Sequence, residues 1–507
     1  MSQQTRPRCA TCCALVIFGA SGDLTKRLIV PSLYNLAKQN QLPERFAIIG
    51  FDHNDKSVDD WREELHDFFE QMVKSGHGEA ETKSIDEDVW KRLADTMSYM
   101  AGDFTKPNSY QQLREQLEKR NRDENLEGNA VFYLAAADRF FGPIVDELGK
   151  ADLTTQDHGW RRVVIEKPFG HDLPSAKDLN ARILKVLDED QIYRIDHFLG
   201  KETVQNILAL RFTNGLFEPM WNRDRIEHVQ ITVAESIGIG TRGKFYEQTG
   251  AMRDMVPNHL FQLLAMTAME PPSALDANEI RSKKAEVFKA VHPITAADAV
   301  RGQYGPGKID GEKVAGYREE EDVASDSPVE TYVALRLIID NWRWAGVPFY
   351  LRTGKRLPNR WTEIAIHFRH APLALFRDTP LEDALGPDWL ILQIQPDEGI
   401  RLRFNAKKPG TEMRLESVAM DFKYADWFKQ PPAVGYETLL YDCFSGDQTL
   451  FQRADQVEAA WAVVQPVLDA WAKQEPTDFP NYASGSAGPE SAERLLERDG
   501  RSWRPIR

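Results

Sequence analysis

The densest chemistry in the chain lies in the run Arg194-Ile-Asp-His-Phe-Leu-Gly-Lys-Glu202. It sets an acid (Asp196), an imidazole (His197) and an ammonium (Lys201) among Ile195, Phe198, Leu199 and Gly200, a mixture that a solvated surface rarely shows. Lys201 follows His197 by four residues, so a helix through both presents two cationic donors on one face. Such a pair suits a phosphate and leaves the acid free for another task; an ordinary buried ion pair is the competing reading. Three further clusters offer related chemistry. Glu166-Lys167-Pro168-Phe169-Gly170 follows an apolar run, and a lysine at the end of a parallel strand reaches both cofactor and substrate. Arg253-Asp254-Met-Val-Pro-Asn-His259-Leu260 puts His259 near the start of an apolar helical stretch, and Arg352-Thr-Gly-Lys355 follows a strand-like segment ending at Tyr350. Each also has a plain reading alone: Lys167 as surface charge, His259 as a satisfied, partly buried histidine, Lys355 as loop solvation.

These clusters need elements to hold them. Ala14-Leu-Val-Ile-Phe18 is continuously apolar, as a strand buried on both faces requires. It leads into Gly19-Ala20-Ser21-Gly22-Asp23-Leu24-Thr25-Lys26, then a helical pattern with Leu28, Leu33 and Leu36. Strand, glycine turn and helix make a phosphate cradle, because glycines admit close backbone approach and a helix N-terminus favours negative charge. Pro31 costs about 3 kcal/mol inside a helix, so it marks a kink or the true first turn. The turn reads GxxG rather than GxGxxG and gains weight from its context. A second run, Ala47–Phe51, ends in Asp52-His53-Asn54, and Val131–Ala135 and Val163–Glu166 repeat the pattern, with helical stretches such as Ser109–Glu118 between. That alternation predicts a doubly wound sheet; an α/β domain without a cofactor is the plainer alternative. The phosphate loop of nucleotide hydrolases is absent.

Past Lys201 the period changes. Val229, Ile231 and Val233 alternate, as do Val333, Leu335, Leu337 and Ile339, then Ile364, Ile366 and Phe368, then Ile400, Leu402 and Phe404. Period two predicts strands with one buried and one wet face. Helical stretches at Asn258–Met269 and Asp455–Lys473 flank them. The expected architecture is an α/β Rossmann-like domain over residues 14–199 and an α+β domain over residues 200–475 with a large, mainly antiparallel sheet. Residues 1–13 read as a flexible N-terminus, Arg301–Glu330 as a long Gly- and charge-rich loop, and residues 476–507 as a loosely held tail.

A chain of 507 residues exceeds one core, and 42% hydrophobic with 10% aromatic residues is a globular composition. The net charge of -15 argues against nucleic acid and anionic membranes as partners. It leaves a small anionic substrate open, since exposed charges are screened over roughly 8 Å. Cys9, Cys12 and Cys13 fall in the expected frayed terminus and Cys443 lies far away, so neither a disulfide framework nor a zinc site is expected, nor any other metal. Arg6 and Arg8 before Ala10–Ala20 imitate a signal peptide, but cleavage there would remove the first strand and glycine turn. No run approaches the roughly 20 apolar residues of a membrane span. The cytoplasm is the default.

GASGDLTK, EKPFG, RIDHFLGKE, RDMVPNHL and LRTGK, in this order and spacing, resemble the glucose-6-phosphate dehydrogenase family. The resemblance runs from about Leu15 to Trp461 and includes DEDQIYRIDHFLGKETVQN and LLYDCFSGDQTLFQRADQVEAAW. It implies oxidation of β-D-glucose 6-phosphate at C1 to the 6-phosphogluconolactone, with a hydride passed to NADP or NAD, in the pentose phosphate or Entner–Doudoroff route. It also implies a homodimer or homotetramer. The C1 hydroxyl must lose a proton as the hydride leaves. The resemblance gives His259 as that base, imidazole titrating at about 6.5, and Asp196 as the carboxylate that orients it. It gives His197 and Lys201 as phosphate ligands, and Glu235 and Asp254 as acceptors for sugar hydroxyls. Lys167 bridges substrate and cofactor beside a cis Pro168, and Lys355 and Arg360 close the sugar site. The implied cofactor contacts are Gly19, Ala20, Ser21, Gly22, Asp23, Leu24, Asp52, His53, Ala135 and Lys167.

Three positions depart from the family pattern. NADP-using members carry an arginine at the end of the second strand, where this chain has His53 after Asp52. An acid there suits the ribose hydroxyls of NAD and repels a 2′-phosphate, while His53, Lys56, Lys26 and Arg27 supply positive charge. Dual NAD/NADP use or a preference for NAD is expected. Leu134-Ala-Ala-Ala-Asp138 lacks the family's paired prolines, and Phe198 replaces a tyrosine, with the loss of about 1 kcal/mol and a modest rise in substrate KM. A short-chain sugar epimerase or reductase would need a Tyr-x-x-x-Lys pair as acid and base, which the tract around Arg194 does not offer. A redox-sensing module that had lost its chemistry would have lost Asp196, His197, Lys201 or His259, and all four stand.

Overall fold

Six parallel strands organise the N-terminal part of the chain in a computed structural model that describes residues 10–75, 84–371, 386–428 and 435–506. They are β1 (Cys13–Phe18), β2 (Phe46–Asp52), β3 (Met97–Ala101), β4 (Ala130–Leu134), β5 (Arg161–Ile165) and β6 (Ile192–Arg194), in the order β3-β2-β1-β4-β5-β6. Helices α1 (Val30–Lys38), α2 (Val58–Ser75), α3 (Glu87–Asp95), α4 (Pro107–Glu124), α5 (Phe141–Lys150) and α6 (Leu173–Ile183) connect and cover them. With helices on both faces, β1, β2 and β4 are buried at every residue, which is why they read as unbroken apolar runs. This is the doubly wound Rossmann topology, with its switch point between β1 and β4. Pro31 lies in the first turn of α1, directly after a π-turn segment at Thr25–Ile29 that runs into it.

The expected frayed terminus is corrected at two residues. Cys13 is fully buried, because it pairs with Phe46 as the first residue of β1, and half-buried Cys12 accepts a hydrogen bond from Arg45 Nε (3.4 Å). Cys9 lies outside the described residues.

The second part is built on eight strands: β7 (Ile226–Ala234), β8 (Ala299–Gly302), β12 (Tyr332–Ile338), β13 (Pro348–Gly354), β14 (Trp361–Phe368), β15 (Trp389–Gln395), β16 (Gly399–Lys407) and β17 (Leu415–Lys423). Their order is β17-β16-β15-β14-β7-β13-β12-β8, antiparallel except for the parallel pair β7–β13. Short strands β9 (Tyr304–Gly305), β10 (Gly307–Ile309) and β11 (Glu312–Val314) fall within the stretch read as one long loop, and β18 (Tyr482–Ala483) pairs in parallel with β9. The helices of this part are α7 (Glu202–Thr213), α8 (Gly243–Met255), α9 (Phe261–Ala268), α10 (Ala277–Ala290), α11 (Tyr424–Trp427), α12 (Tyr436–Ser445), α13 (Ala454–Lys473) and α14 (Glu490–Glu497). Val229, Ile231, Leu335 and Ile364 belong to the same apolar core as α9, α10, α13 and the Rossmann strands.

Two expectations about this half are overturned together. β7 has no wet face, and residues 476–506 are no loose tail: they supply the missing cover. Trp503 is 7% exposed and lies under the Arg352 guanidinium, 4.5 Å from its ring centre. Gln230 Nε2 donates to Ser502 O (2.9 Å), Arg504 N donates to Gln230 Oε1 (2.8 Å), and Arg504 Nε donates to Glu363 Oε1 (2.9 Å). Gln230 and Arg352 on the second face of the sheet thus find protein partners instead of water, as does Oε1 of Glu363. Exposure dominates only at the β17 edge.

Candidate active site

Parallel pairing of β7 with β13 brings their C-terminal ends together, so Glu235 and Lys355, each the next residue after its strand, form an ion pair. Across from them, β5 and β6 deliver Lys167 and Asp196 at the C-terminal edge of the Rossmann sheet, where open α/β sheets bind ligands. Asp254 comes from the last turn of α8 and His259 from a π-turn segment, Val256–Leu260, that leads into α9.

Asp196, His259, Lys167 and Asp254 form one chain, buried at Asp196 and His259. His259 Nδ1 lies 2.6 Å from Asp196 Oδ1, both residues being at most 2% exposed. A carboxylate only accepts, so Nδ1 carries the proton and Nε2 a lone pair. That Nε2 lies 3.0 Å from Lys167 Nζ, which also donates to Asp254 Oδ1 (2.8 Å). The Phe198 ring stacks on the His259 ring (centroids 4.4 Å, 18° between planes) and His197 packs edge-on (4.7 Å). Phe198 thus clamps the imidazole from one side. Lys167–Pro168 is cis, as the sequence resemblance implies.

The electrostatics follow from this packing. Burial alone would raise Asp196, but His259, His197 and Lys167 outweigh it and hold its carboxyl at about 2. Burial likewise opposes ionisation of Asp254, and Lys167 and Lys355 hold it well below the usual carboxylate range. Lys167 stays cationic: burial pulls its pKa down, and Asp254, Asp196 and Glu235 more than restore it. His197 is pushed well below its ordinary value by burial and by the neighbouring His259. Glu166 is the exception among the acids. Burial raises it to about 7, although Tyr133 (2.5 Å) and Tyr436 (3.2 Å) both donate to its Oε1. Ligand atoms of Asp196, His197 and His259 lie within 4.8 Å of one another, but the Lys167 ammonium beside His259 Nε2 puts positive charge where a metal cation would sit.

The one-face argument for His197 and Lys201 is corrected. Asp196 Oδ1 accepts from Phe198 N (3.0 Å) and caps a 3-10 turn over His197–Gly200; Lys201 is extended, and α7 starts only at Glu202. The two cations are no helical pair. Lys201 instead meets Arg360: both donate to Gln395 Oε1, at 3.1 and 3.2 Å. Gly200 is fixed by close approach, since a Cβ there would stand 2.2 Å from Gly435 O, at the start of α12. That contact seats Tyr436, whose ring lies parallel to His197 at 6.2 Å. Gln395 and Tyr436 carry no local signal in the sequence, and no spacing argument finds them.

On the nucleotide side, Gly19 has φ +88°, and a Cβ there would stand 2.3 Å from the carbonyl of Ala135, so only glycine fits. Gly19 and Ala20 donate to Phe51 O, Ser21 N donates to Asp52 Oδ2 (2.8 Å) and Gly22 N to Gly19 O. Asp23 and Leu24 open the helical run. The Asp52 carboxylate is buried and also accepts from His53 N (2.7 Å) and Asn54, while His53 is exposed. Lys26 and Lys56 both pair with Glu64 of α2, one on each carboxylate oxygen. Between the domains a cavity of about 320 Å³ is lined by Lys167, Pro168, Asp138, Asp254, Asn258 and Thr249, among others.

A Rossmann domain whose strand ends carry Lys167 and Asp196 against His259 of a mixed-sheet domain has the layout of a nicotinamide-dependent dehydrogenase. Family models for the glucose-6-phosphate dehydrogenase NAD-binding domain and C-terminal domain match residues 16–206 and 208–504. Glucose-6-phosphate 1-dehydrogenase of Chlamydia pneumoniae is 46% identical over 99% of this chain and 97% of its own length, and that of Bacillus subtilis 44% over 96% and 97%. Among solved structures, glucose-6-phosphate 1-dehydrogenase from Mycobacterium avium is 40% identical (TM-score 0.81; 97% of this chain, 99% of that one). A glucose-6-phosphate dehydrogenase in complex with glucose 6-phosphate is 32% identical (TM-score 0.87; 98% and 99%). The chain belongs to the glucose-6-phosphate dehydrogenase family. No helix among the described residues is long and apolar enough to cross a membrane.

Proposed function

We propose that this site oxidises glucose 6-phosphate at C1, with His259 as the base. The observation that carries the reading is the buried Asp196–His259 pair, which fixes Nδ1–H and leaves Nε2 to accept the C1 hydroxyl proton. Bound nicotinamide supplies the hydride acceptor. Lys167 holds the seat beside Nε2 and Asp254, and moves to sugar and cofactor when substrate enters. Asp254 and Glu235, each paired with a lysine, accept from sugar hydroxyls. His197, Lys201 and Arg360 take the phosphate; their reach from two elements to Gln395 supports one anion subsite. The Gly19–Leu24 turn holds the pyrophosphate through the first-turn N–H groups from Asp23 onward. His259→Asn is expected to lower kcat by about 10²–10⁴ with substrate affinity nearly kept; a kcat near that of the unaltered enzyme refutes the assignment.

The cofactor is read as NAD and NADP used together, or NAD preferred. Asp52, buried at the end of β2, supports NAD, and Glu64 engages the two lysines nearest a 2′-phosphate. Parallel initial rates with the two cofactors decide it, and strict NADP use overturns it. A cytoplasmic homodimer or homotetramer accords with the free thiols of Cys12, Cys13 and Cys443 and with exposed Met420, Trp427 and Phe428 at the β17 edge. Light scattering that gives a monomer refutes the assembly.

A further inference from the structure

Helix α10 turns two cations inward, Arg281 and Lys284, at 2% and 1% exposure. Arg281 is accounted for in part, its Nη1 having no hydrogen-bond partner among the described residues. Its Nη2 donates to Gln448 Oε1 (2.9 Å), and Gln448 Nε2 donates to the carbonyl of Ile192, the first residue of β6. Lys284 sits one turn further along, and among the described residues its Nζ has no hydrogen-bond partner. An unpaired buried ammonium costs several kcal/mol, so its place calls for a reason.

Asp196 has the complementary shortage. β6 continues from Ile192 through Arg194, whose carbonyl takes the N–H of Gln452 (3.0 Å), to Asp196. Asp196 Oδ1 receives both His259 Nδ1 and Phe198 N, while the buried Oδ2 receives no donor among the described residues. Gln262, three residues past His259, and Gln452 also leave amide atoms unpartnered. The helices bearing these groups are locked together: Phe261 of α9 stacks on Phe288 of α10 (5.6 Å), and Gln456 Nε2 of α13 donates to Arg281 O (2.7 Å).

We propose that Lys284 is a positioning residue for the Asp196–His259 pair, acting from α10 through the field it sets at the Asp196 carboxylate. The inference rests on the reading of that pair as the catalytic one. The charged groups acting on Asp196 are His259, His197 and Lys167; Lys284 in turn feels Asp196 and its α10 neighbour Arg281. Burial brings Lys284 down to about 7, Asp196 opposing and Arg281 assisting. A cation at that place offsets the carboxylate, opposes charging of the imidazole, and keeps the base available to lower pH.

Lys284→Met should move the acid limb of the kcat/KM profile up by about one pH unit, roughly tenfold in rate below the limb, with substrate KM held. A merely structural role leaves the limb in place. The companion measurement is a thermal cycle with Asp196→Asn. The double variant should melt above Lys284→Met alone, because no unpartnered carboxylate remains. An unmoved acid limb, or Tm losses that add in the double variant, overturns the proposal. If Lys284→Met does not fold, recovery of folding in the double variant supports it and failure to recover overturns it. Retained activity in His259→Asn would strike the catalytic reading instead and leaves the thermal cycle readable.

Discussion

Glu64→Gln is expected to raise the use of NADP while leaving NAD unchanged. Glu64 holds Lys26 on Oε1 and Lys56 on Oε2, and its own side chain is 37% exposed. Burial would raise its carboxyl, yet the two lysines keep it below its ordinary value. A 2′-phosphate that recruits both ammonium groups must displace Glu64 from both. Partly exposed pairs are worth about 0.2–1 kcal/mol each, so the two together hold back about 1 kcal/mol, or about fivefold in kcat/KM for NADP. Glutamine keeps the shape and removes the charge. NAD has no 2′-phosphate and gains nothing. The assay is initial rates at saturating glucose 6-phosphate with each cofactor varied, at low ionic strength and at about 0.15 M, where screening should shrink the gain. A variant that improves with both cofactors equally, or with neither, refutes the claim that Lys26 and Lys56 face the nucleotide's 2′ position.

Three other outcomes are expected. Glu166 is raised from an ordinary 4.5 to about 7, so the stability it lends is complete below pH 4.5 and lost as pH rises through 7, by about 3 kcal/mol; Glu166→Gln should flatten the fall of Tm from pH 5 to 8, and parallel curves would count against it. Trp503→Ala should destabilise by about 3–5 kcal/mol, read as a drop in Tm, because the ring is buried beneath Arg352; a drop no larger than that of an exposed site such as Trp342→Ala contradicts the packing described. Lys201→Ala should raise KM for glucose 6-phosphate, with activity on free glucose little changed, and an equal loss on both sugars removes Lys201 from the phosphate subsite.

The Rossmann half was legible because helices on both faces leave β1, β2 and β4 no room for polar residues, and the glycine turn between β1 and α1 is a local pattern. The site was legible only through motifs. Asp196 and His259 are 63 positions apart, and no spacing rule joins them. The His197–Lys201 pairing failed because a capping contact at Phe198 N changes the local helix type, which a count of residues does not register. The second face of the large sheet was misread for a different reason. Gln230, Arg352 and Glu363 look like wet positions, but their partners are residues 502–504, and hydropathy cannot tell a protein partner from water. The same composition made residues 476–506 look loose, although Leu495, Leu496 and Trp503 are buried there.

That cover over the sheet sets an order of events during synthesis. The ribosome delivers β7, β13 and β14 long before Tyr482 can bond to the Lys355 carbonyl or Trp503 can slide beneath Arg352. Until then the nascent sheet shows a polar but unpaired face, a state that invites chaperones and association with other chains. A transcript cut short ahead of Trp503 would encode every residue assigned to chemistry here and still yield a protein with one wall missing. Closure of the large sheet's second face therefore waits on residues 482–504.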